Sequence, residues 1–146
     1  MVLPPQPFEV TRRVEFSQTD AAGLIHFTTY FIFMEAAEAE LFRQLGLPLL
    51  WREEGRSFGF PRVDCQCRFR RPVGFGDPVT ISLDGLEMVA GRLQYTFQFR
   101  DPAGHRCGSG SMTTTLVERQ EDGSLASRPL PEAHRKALAA WKNQAG

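Results

Sequence analysis

One stretch constrains this chain more than any other. Leu24–Leu45 runs without a glycine or proline, and its apolar residues fall on almost every face of a helix. Tyr30, Met34, Ala37, Leu41 and Leu45 form one stripe, while Phe31, Ile32, Phe33, Ala36, Ala39 and Phe42 add apolar surface elsewhere. A helix of that composition is expected to be buried nearly all round. Gly46 and Pro48 mark its end.

The chain around this helix alternates with a period of two, the pattern of strands with one wet face. Phe8–Phe16 precedes the helix. After a loop through Trp51–Arg56, further alternating runs cover Val63–Arg70, Val79–Leu83 and Leu93–Phe99, with a looser one over Arg106–Glu118. Turn chemistry separates them at Gly74–Pro78, around Gly91 and at Asp101–Gly104, which predicts antiparallel pairing. Pro131–Trp141 reads as a short terminal helix opened by proline. One long helix must therefore serve five strands. The sheet is expected to curl around it, and self-association to cover whatever apolar surface remains.

The 146 residues match one domain, and the 42% hydrophobic content, with 12 phenylalanines, supplies a core. Equal numbers of acidic and basic residues, 17 each, argue against a phosphate-tracking nucleic-acid surface. No run approaches the roughly 20 apolar residues of a membrane span, and MVLPPQPFEV lacks the pattern of a signal peptide. Three cysteines, an odd number, suit a reducing compartment, so a cytoplasmic location is expected. Cys65-x-Cys67 with His105-x-Cys107 lacks the spacing of a zinc knuckle, and these thiols read as core residues with no metal assigned. Gly108-Ser109-Gly110-Ser111 has no following lysine and reads as a small-residue strand, not a phosphate loop. No G-x-S-x-G nucleophile elbow is present.

The candidate chemistry lies just before the helix, in Ser17-Gln18-Thr19-Asp20-Ala21-Ala22-Gly23. An aspartate there has a plain explanation as a cap or loop residue facing unpaired helix N–H groups. The functional alternative is that those N–H groups polarise a bound carbonyl while Asp20 attacks it or activates water. Ala21, Ala22 and Gly23 would leave room for the ligand.

Thr19-Asp20-Ala21-Ala22-Gly23, followed by Tyr30 and by Glu35 in Phe33-Met34-Glu35-Ala36-Ala37, resembles the hotdog-fold acyl-CoA thioesterases related to 4-hydroxybenzoyl-CoA thioesterase. Arg71-Pro72-Val73-Gly74-Phe75-Gly76-Asp77-Pro78-Val79 is similar to that family's strand-turn signature, and Arg128-Pro129-Leu130-Pro131 to its exit into the last helix. The resemblance spans about residues 8–140 and implies an α+β hotdog: a five-stranded antiparallel sheet around one long helix, plus a short C-terminal helix, in one domain covering 1–146. It implies hydrolysis of an acyl-CoA thioester with no cofactor, by a homodimer or homotetramer. Asp20 falls on the catalytic carboxylate, as nucleophile or general base, and the Phe27 backbone N–H on the group that binds the thioester carbonyl. Gly23, His26 and Thr29, the last standing where the family often has asparagine, fall on the substrate side. Glu35 matches a recurrent acid and is expected to be a buried or interface group without a catalytic role.

Two questions stay open at the level of sequence. His26 either pairs with Asp20, to orient water or bind substrate, or lines the pocket or is satisfied locally. Of the basic residues 15 are arginine and 2 lysine, a bias that codon usage explains; guanidinium recognition of the CoA phosphates is the alternative, centred on Arg68, Arg70 and Arg71. Rival functions on the same fold are a hydratase-type lyase using Asp20 with His26, and a non-catalytic acyl-CoA-binding module.

Overall fold

Residues 2–144 are described by the structure, a computed structural model. The main sheet is built from β1 (Phe8–Arg13), β4 (Arg62–Phe69), β5 (Pro78–Val89), β6 (Arg92–Arg100) and β7 (Arg106–Thr115). Its order is β1-β5-β6-β7-β4, with every neighbouring pair antiparallel. The long helix α1 (Phe27–Leu45) lies against one face, so the architecture is the hotdog that the resemblance implies.

Two parts differ from the periodicity-based expectation. The segment read as a loop is a hairpin of β2 (Leu50–Glu53) and β3 (Arg56–Gly59). It continues into β8 (Val117–Arg119) and β9 (Leu125–Ser127) as a second, four-stranded sheet, so the looser last run is split near Leu116. These strands are three or four residues long, too short for alternation to register. The terminal helix α2 (Glu132–Asn143) packs under this sheet, where His134 stacks on Trp51 at 5.1 Å between ring centroids and donates from Nε2 to the Pro48 carbonyl at 2.8 Å.

Close packing of α1 on β7 explains the Gly-Ser-Gly-Ser run. A Cβ on Gly110 would lie 2.7 Å from Met34 Sδ, and one on Gly108 would lie 3.3 Å from Tyr30 Cε1. The glycines thus admit the helix, while Ser109 and Ser111 turn to the outer face beside Gln66, Arg68, Thr96 and Gln98. That outer face is polar and needs no cover. Exposed apolar side chains are spread over several places, among them the Phe16–Phe75 pair, Leu50, Val89, and Ile32 of α1 with Val63 of the edge strand β4, the last two 52% and 49% exposed. The helix is therefore buried along one broad face rather than all round.

Of the two expectations for Glu35, burial is not met within this chain. Glu35 is exposed, and Glu38 is fully buried on the stripe shared by Met34, Leu41 and Leu45. Its carboxylate pairs with the Arg62 guanidinium at the start of β4; Arg62 also reaches Glu35 at 3.5 Å and donates to the Phe60 carbonyl at 2.9 Å. Burial raises the Glu38 pKa from its ordinary value, outweighing the nearby charge of Arg62. A carboxyl whose folded pKa is raised binds its proton more tightly in the native state. Its contribution is present below the unfolded value and is lost as pH rises through the folded one. Glu38→Gln, held neutral, should therefore gain stability relative to wild type as pH is raised from about 4 to about 7, read as the difference in denaturation midpoint.

Candidate active site

The Asp20 loop is closed by its own carboxylate. Oδ1 accepts the N–H groups of Ala22 at 2.8 Å and Leu24 at 3.1 Å, while the Asp20 N–H donates to the Leu24 carbonyl at 2.7 Å and the Gly23 N–H to the Asp20 carbonyl at 3.0 Å. Gly23 sits at φ +78°, in the left-handed region where a side chain is strained. Its part in the site is conformational.

An almost identical loop occurs elsewhere in the chain. Asp101 Oδ1 accepts from Ala103 at 3.0 Å and His105 at 2.9 Å, with the matching backbone bonds at 2.9 Å each. The loop geometry alone thus assigns Asp20 no chemistry. The two loops differ in what surrounds them.

Asp20 lines a cleft of about 290 Å³ whose apolar walls are Leu24 and Ile25 from the loop, Phe27 and Tyr30 from α1, Phe69 at the end of β4, and Pro72 and Val73 beyond it. Arg70 and Arg71 complete the lining. Both are placed by backbone bonds from their N–H groups to the Cys107 carbonyl, at 2.9 and 3.3 Å. Tyr30 gives its ring to the cleft, packed 5.1 Å from Phe69 and 4.9 Å from Phe99. Burial, and then the neighbouring Cys107 and Cys67 thiols, push its hydroxyl pKa up, so it remains a neutral phenol.

The helix starts at Phe27, three residues later than the sequence suggests, and His26 caps it. His26 Nδ1 accepts the Thr28 N–H at 3.3 Å and meets the Thr28 hydroxyl at 2.7 Å. Taking the Nδ1 lone pair as acceptor assigns the ring proton of the neutral form to Nε2. The imidazole makes no hydrogen bond to Asp20, so the local alternative for His26 holds and the Asp–His pair does not form. The Thr29 N–H returns to the His26 carbonyl at 2.9 Å, whereas the Phe27 N–H has no acceptor among the described residues. That N–H opens a 19-residue helix, at the positive end of its dipole and beside the cleft.

Not every residue carried over by resemblance reaches the cleft. Thr29 is buried and donates from Oγ1 to the Gln18 carbonyl at 3.2 Å, fastening the preceding turn to the helix instead of meeting a ligand. Arg68 points to the outer face of the sheet, because it is one residue out of phase with the inward side of β4. Of the phenylalanines near the helix start only Phe27 lines the cleft, 56% exposed, while Phe33 is in the core. The thiols expected in the core divide: Cys107 is buried, Cys67 half-buried with its pKa pushed up to about 12 by burial, and Cys65 exposed. Among the described residues no group of three His, Cys, Asp or Glu side chains is gathered to hold a metal, and no helix is long and apolar enough to cross a membrane. Ile25, Phe69, Pro72 and Val73 are not marked as site residues by the sequence, although Phe69 lies in an alternating run and Pro72 and Val73 in the strand-turn signature, since their place in the cleft comes from contact across the fold.

The family model for the thioesterase-like superfamily matches residues 14–141, and the chain belongs to that superfamily. It is similar to the 1,4-dihydroxy-2-naphthoyl-CoA hydrolase of Thermosynechococcus vestitus, 29% identical over 145 residues, 97% of this chain and 92% of that one. Among solved structures it is similar to a gentisyl-coenzyme A thioesterase, with a TM-score of 0.73 and 25% identity over 89% of this chain and 98% of the other. A 4-hydroxybenzoyl-CoA thioesterase mutant complexed with 4-hydroxybenzoyl-CoA aligns with a TM-score of 0.74 and 17% identity, over 89% and 96% of the two chains.

The capping role of His26 has a direct check. His26→Ala should lower stability in chemical denaturation by about 1 kcal/mol, and His26→Asn, which offers a capping oxygen, should restore most of it.

Proposed function

We propose that this protein hydrolyses an acyl-CoA thioester to the free acid and coenzyme A, as one thioesterase domain with Asp20 as the catalytic residue. The observation that carries the reading is that one cleft is lined both by Asp20 and by Phe27, whose N–H has no acceptor among the described residues. Because Oδ1 is held by two backbone N–H groups, Oδ2 is the oxygen left for chemistry.

In this mechanism the thioester carbonyl accepts the Phe27 N–H, reinforced by the helix dipole. Negative charge developing on that oxygen strengthens the bond; one such donor is worth about 2.7–4 kcal/mol of transition-state stabilisation. Oδ2 then either attacks the carbonyl carbon, expelling the CoA thiolate and leaving an acyl-aspartyl anhydride for water to cleave, or takes a proton from a water that attacks directly. Both routes add one water across the C–S bond and need neither cofactor nor metal. Arg70 and Arg71 flank the cleft as guanidinium partners for a CoA phosphate. The capping bonds of His26 weigh against the lyase reading, which needs that imidazole free to work with Asp20.

The assembly proposed is a homodimer through the open edge of β4 and the adjoining face of α1, where Ile32 and Val63 are half exposed and the Glu35–Arg62 contact joins helix to strand. The free cysteines support a cytoplasmic location.

Asp20→Asn keeps an oxygen for the Ala22 and Leu24 N–H groups and should preserve the fold, while thiol release falls by about 10³-fold or more. Asp101→Asn, the same change in the twin loop, should leave the rate unchanged. Near-normal hydrolysis by Asp20→Asn would overturn the assignment. A single turnover in ¹⁸O-water tests the anhydride route: water opening the anhydride at the Asp20 carbonyl leaves the label in Asp20 and none in the acid, whereas direct attack of water on the thioester labels only the acid. For the dimer, the double change Ile32→Asp with Val63→Asp should give a folded monomer by light scattering.

A further inference from the structure

The Arg71–Val79 signature contains a carboxylate that the hydrolysis above does not use. Asp77 Oδ2 accepts the Gly74 N–H at 2.9 Å, and the Asp77 N–H donates to the Gly74 carbonyl at 3.1 Å. One residue thereby holds both polar groups of Gly74. On one side this turn is tied to the chain just after β1: the Val14 N–H donates to the Asp77 carbonyl and the Gly76 N–H to the Val14 carbonyl, each at 2.9 Å. On the other side it is tied to the Asp20 loop. The Phe75 N–H donates to the Gly23 carbonyl at 3.1 Å, the Ile25 N–H to the Val73 carbonyl at 2.7 Å, and Leu24 forms an isolated antiparallel bridge with Gly74.

The Asp20 carboxylate has no comparable anchor. Among the described residues its bonds run only to Ala22 and Leu24, within its own loop. The loop is tied to the helix start from within, by the His26 N–H and the Thr29 hydroxyl donating to the Gln18 carbonyl at 2.7 and 3.2 Å, and from outside, where residues 73–75 hold residues 23–25. The twin loop at Asp101 is closed in the same way but has no such turn clasping it.

We propose that Asp77 is a positioning residue for thioester hydrolysis, acting through the 73–75 turn to hold Asp20 in register with the helix start. The proposal rests on the reading of Asp20 as catalytic. A misplacement on the scale of 1 Å at a reacting group costs up to about 100-fold in rate while leaving substrate contacts largely intact. Asp77 itself does not line the cleft, so its effect reaches the substrate only through the loop.

The test uses steady-state thiol release by the full chain. Asp77→Ala should lower kcat about 10- to 100-fold with KM within about threefold of wild type. Asp77→Asn, whose amide oxygen can still accept the Gly74 N–H, should recover most of the rate. In an Asp20→Asn background, Asp77→Ala should cost little more, because the group it positions is already lost. Should Asp77→Ala fail to fold, Asp77→Ser, one bond too short to reach the Gly74 N–H, takes its place with the same expectations. An unchanged kcat in the folded Ala or Ser variant would overturn the proposal, as would an Asn variant no faster than Ala, or an equal fold-loss in both backgrounds. Retention of hydrolysis by Asp20→Asn alone would instead overturn the underlying reading of the site.

Discussion

The seating of α1 on the main sheet, with its Met34 and Tyr30 side chains over the glycines of β7, governs the rest of the molecule. Met34 occupies the space that a side chain at position 110 would fill, and Tyr30 crowds position 108 in the same way. With that contact made, the helix sits in the curl of the sheet, with its first turn beside residues 69–73 at the end of β4. The loop before the helix must then lie against the 73–77 turn. A cleft at the helix N-terminus follows from packing that involves no catalytic residue.

The same packing sorts the polar groups of the helix. Glu38 lies on the face turned to the sheet and has to be matched there by Arg62, whereas Glu35 escapes to solvent and meets the same guanidinium from outside. Arg62 thus stitches the helix to the edge strand with one partner buried and one wet. A buried ion pair of this kind gives little net stability, since desolvation offsets the attraction, but it penalises any register that separates the pair. It helps explain how an edge strand with both faces largely exposed keeps its place.

Asp20 and Asp101 show how little of an active site resides in local geometry. Both close a turn with the same hydrogen bonds, and glycine ends both. The difference lies in what each carboxylate faces. Asp20 shares a cleft with Phe27, whose N–H is unpaired among the described residues, with aromatic walls and with Arg70 and Arg71. The chemistry proposed for this site rests on that juxtaposition, and the turn only presents the carboxylate to it.

Much of this was legible in the amino-acid order. Alternation located the core strands, the Gly-free run and Gly46 bounded α1 to within a few residues, and the Asp20 and Gly76-Asp77 motifs pointed to the thioesterase-like superfamily. These features are local, encoded in the period of apolar residues and in turn chemistry. Other outcomes depended on which surfaces meet. Short strands such as β2 and β8 leave no periodic trace; Glu38 rather than Glu35 became the buried acid through the phase of the helix against the sheet; Thr29 was spent on a backbone carbonyl; and Arg68 was turned to the outer face while Arg70 and Arg71 reached the cleft. The residue order determined the elements and their turns because those arise from neighbours in the chain. The tertiary structure decided which side chains share the site, because that depends on contacts between segments far apart in sequence.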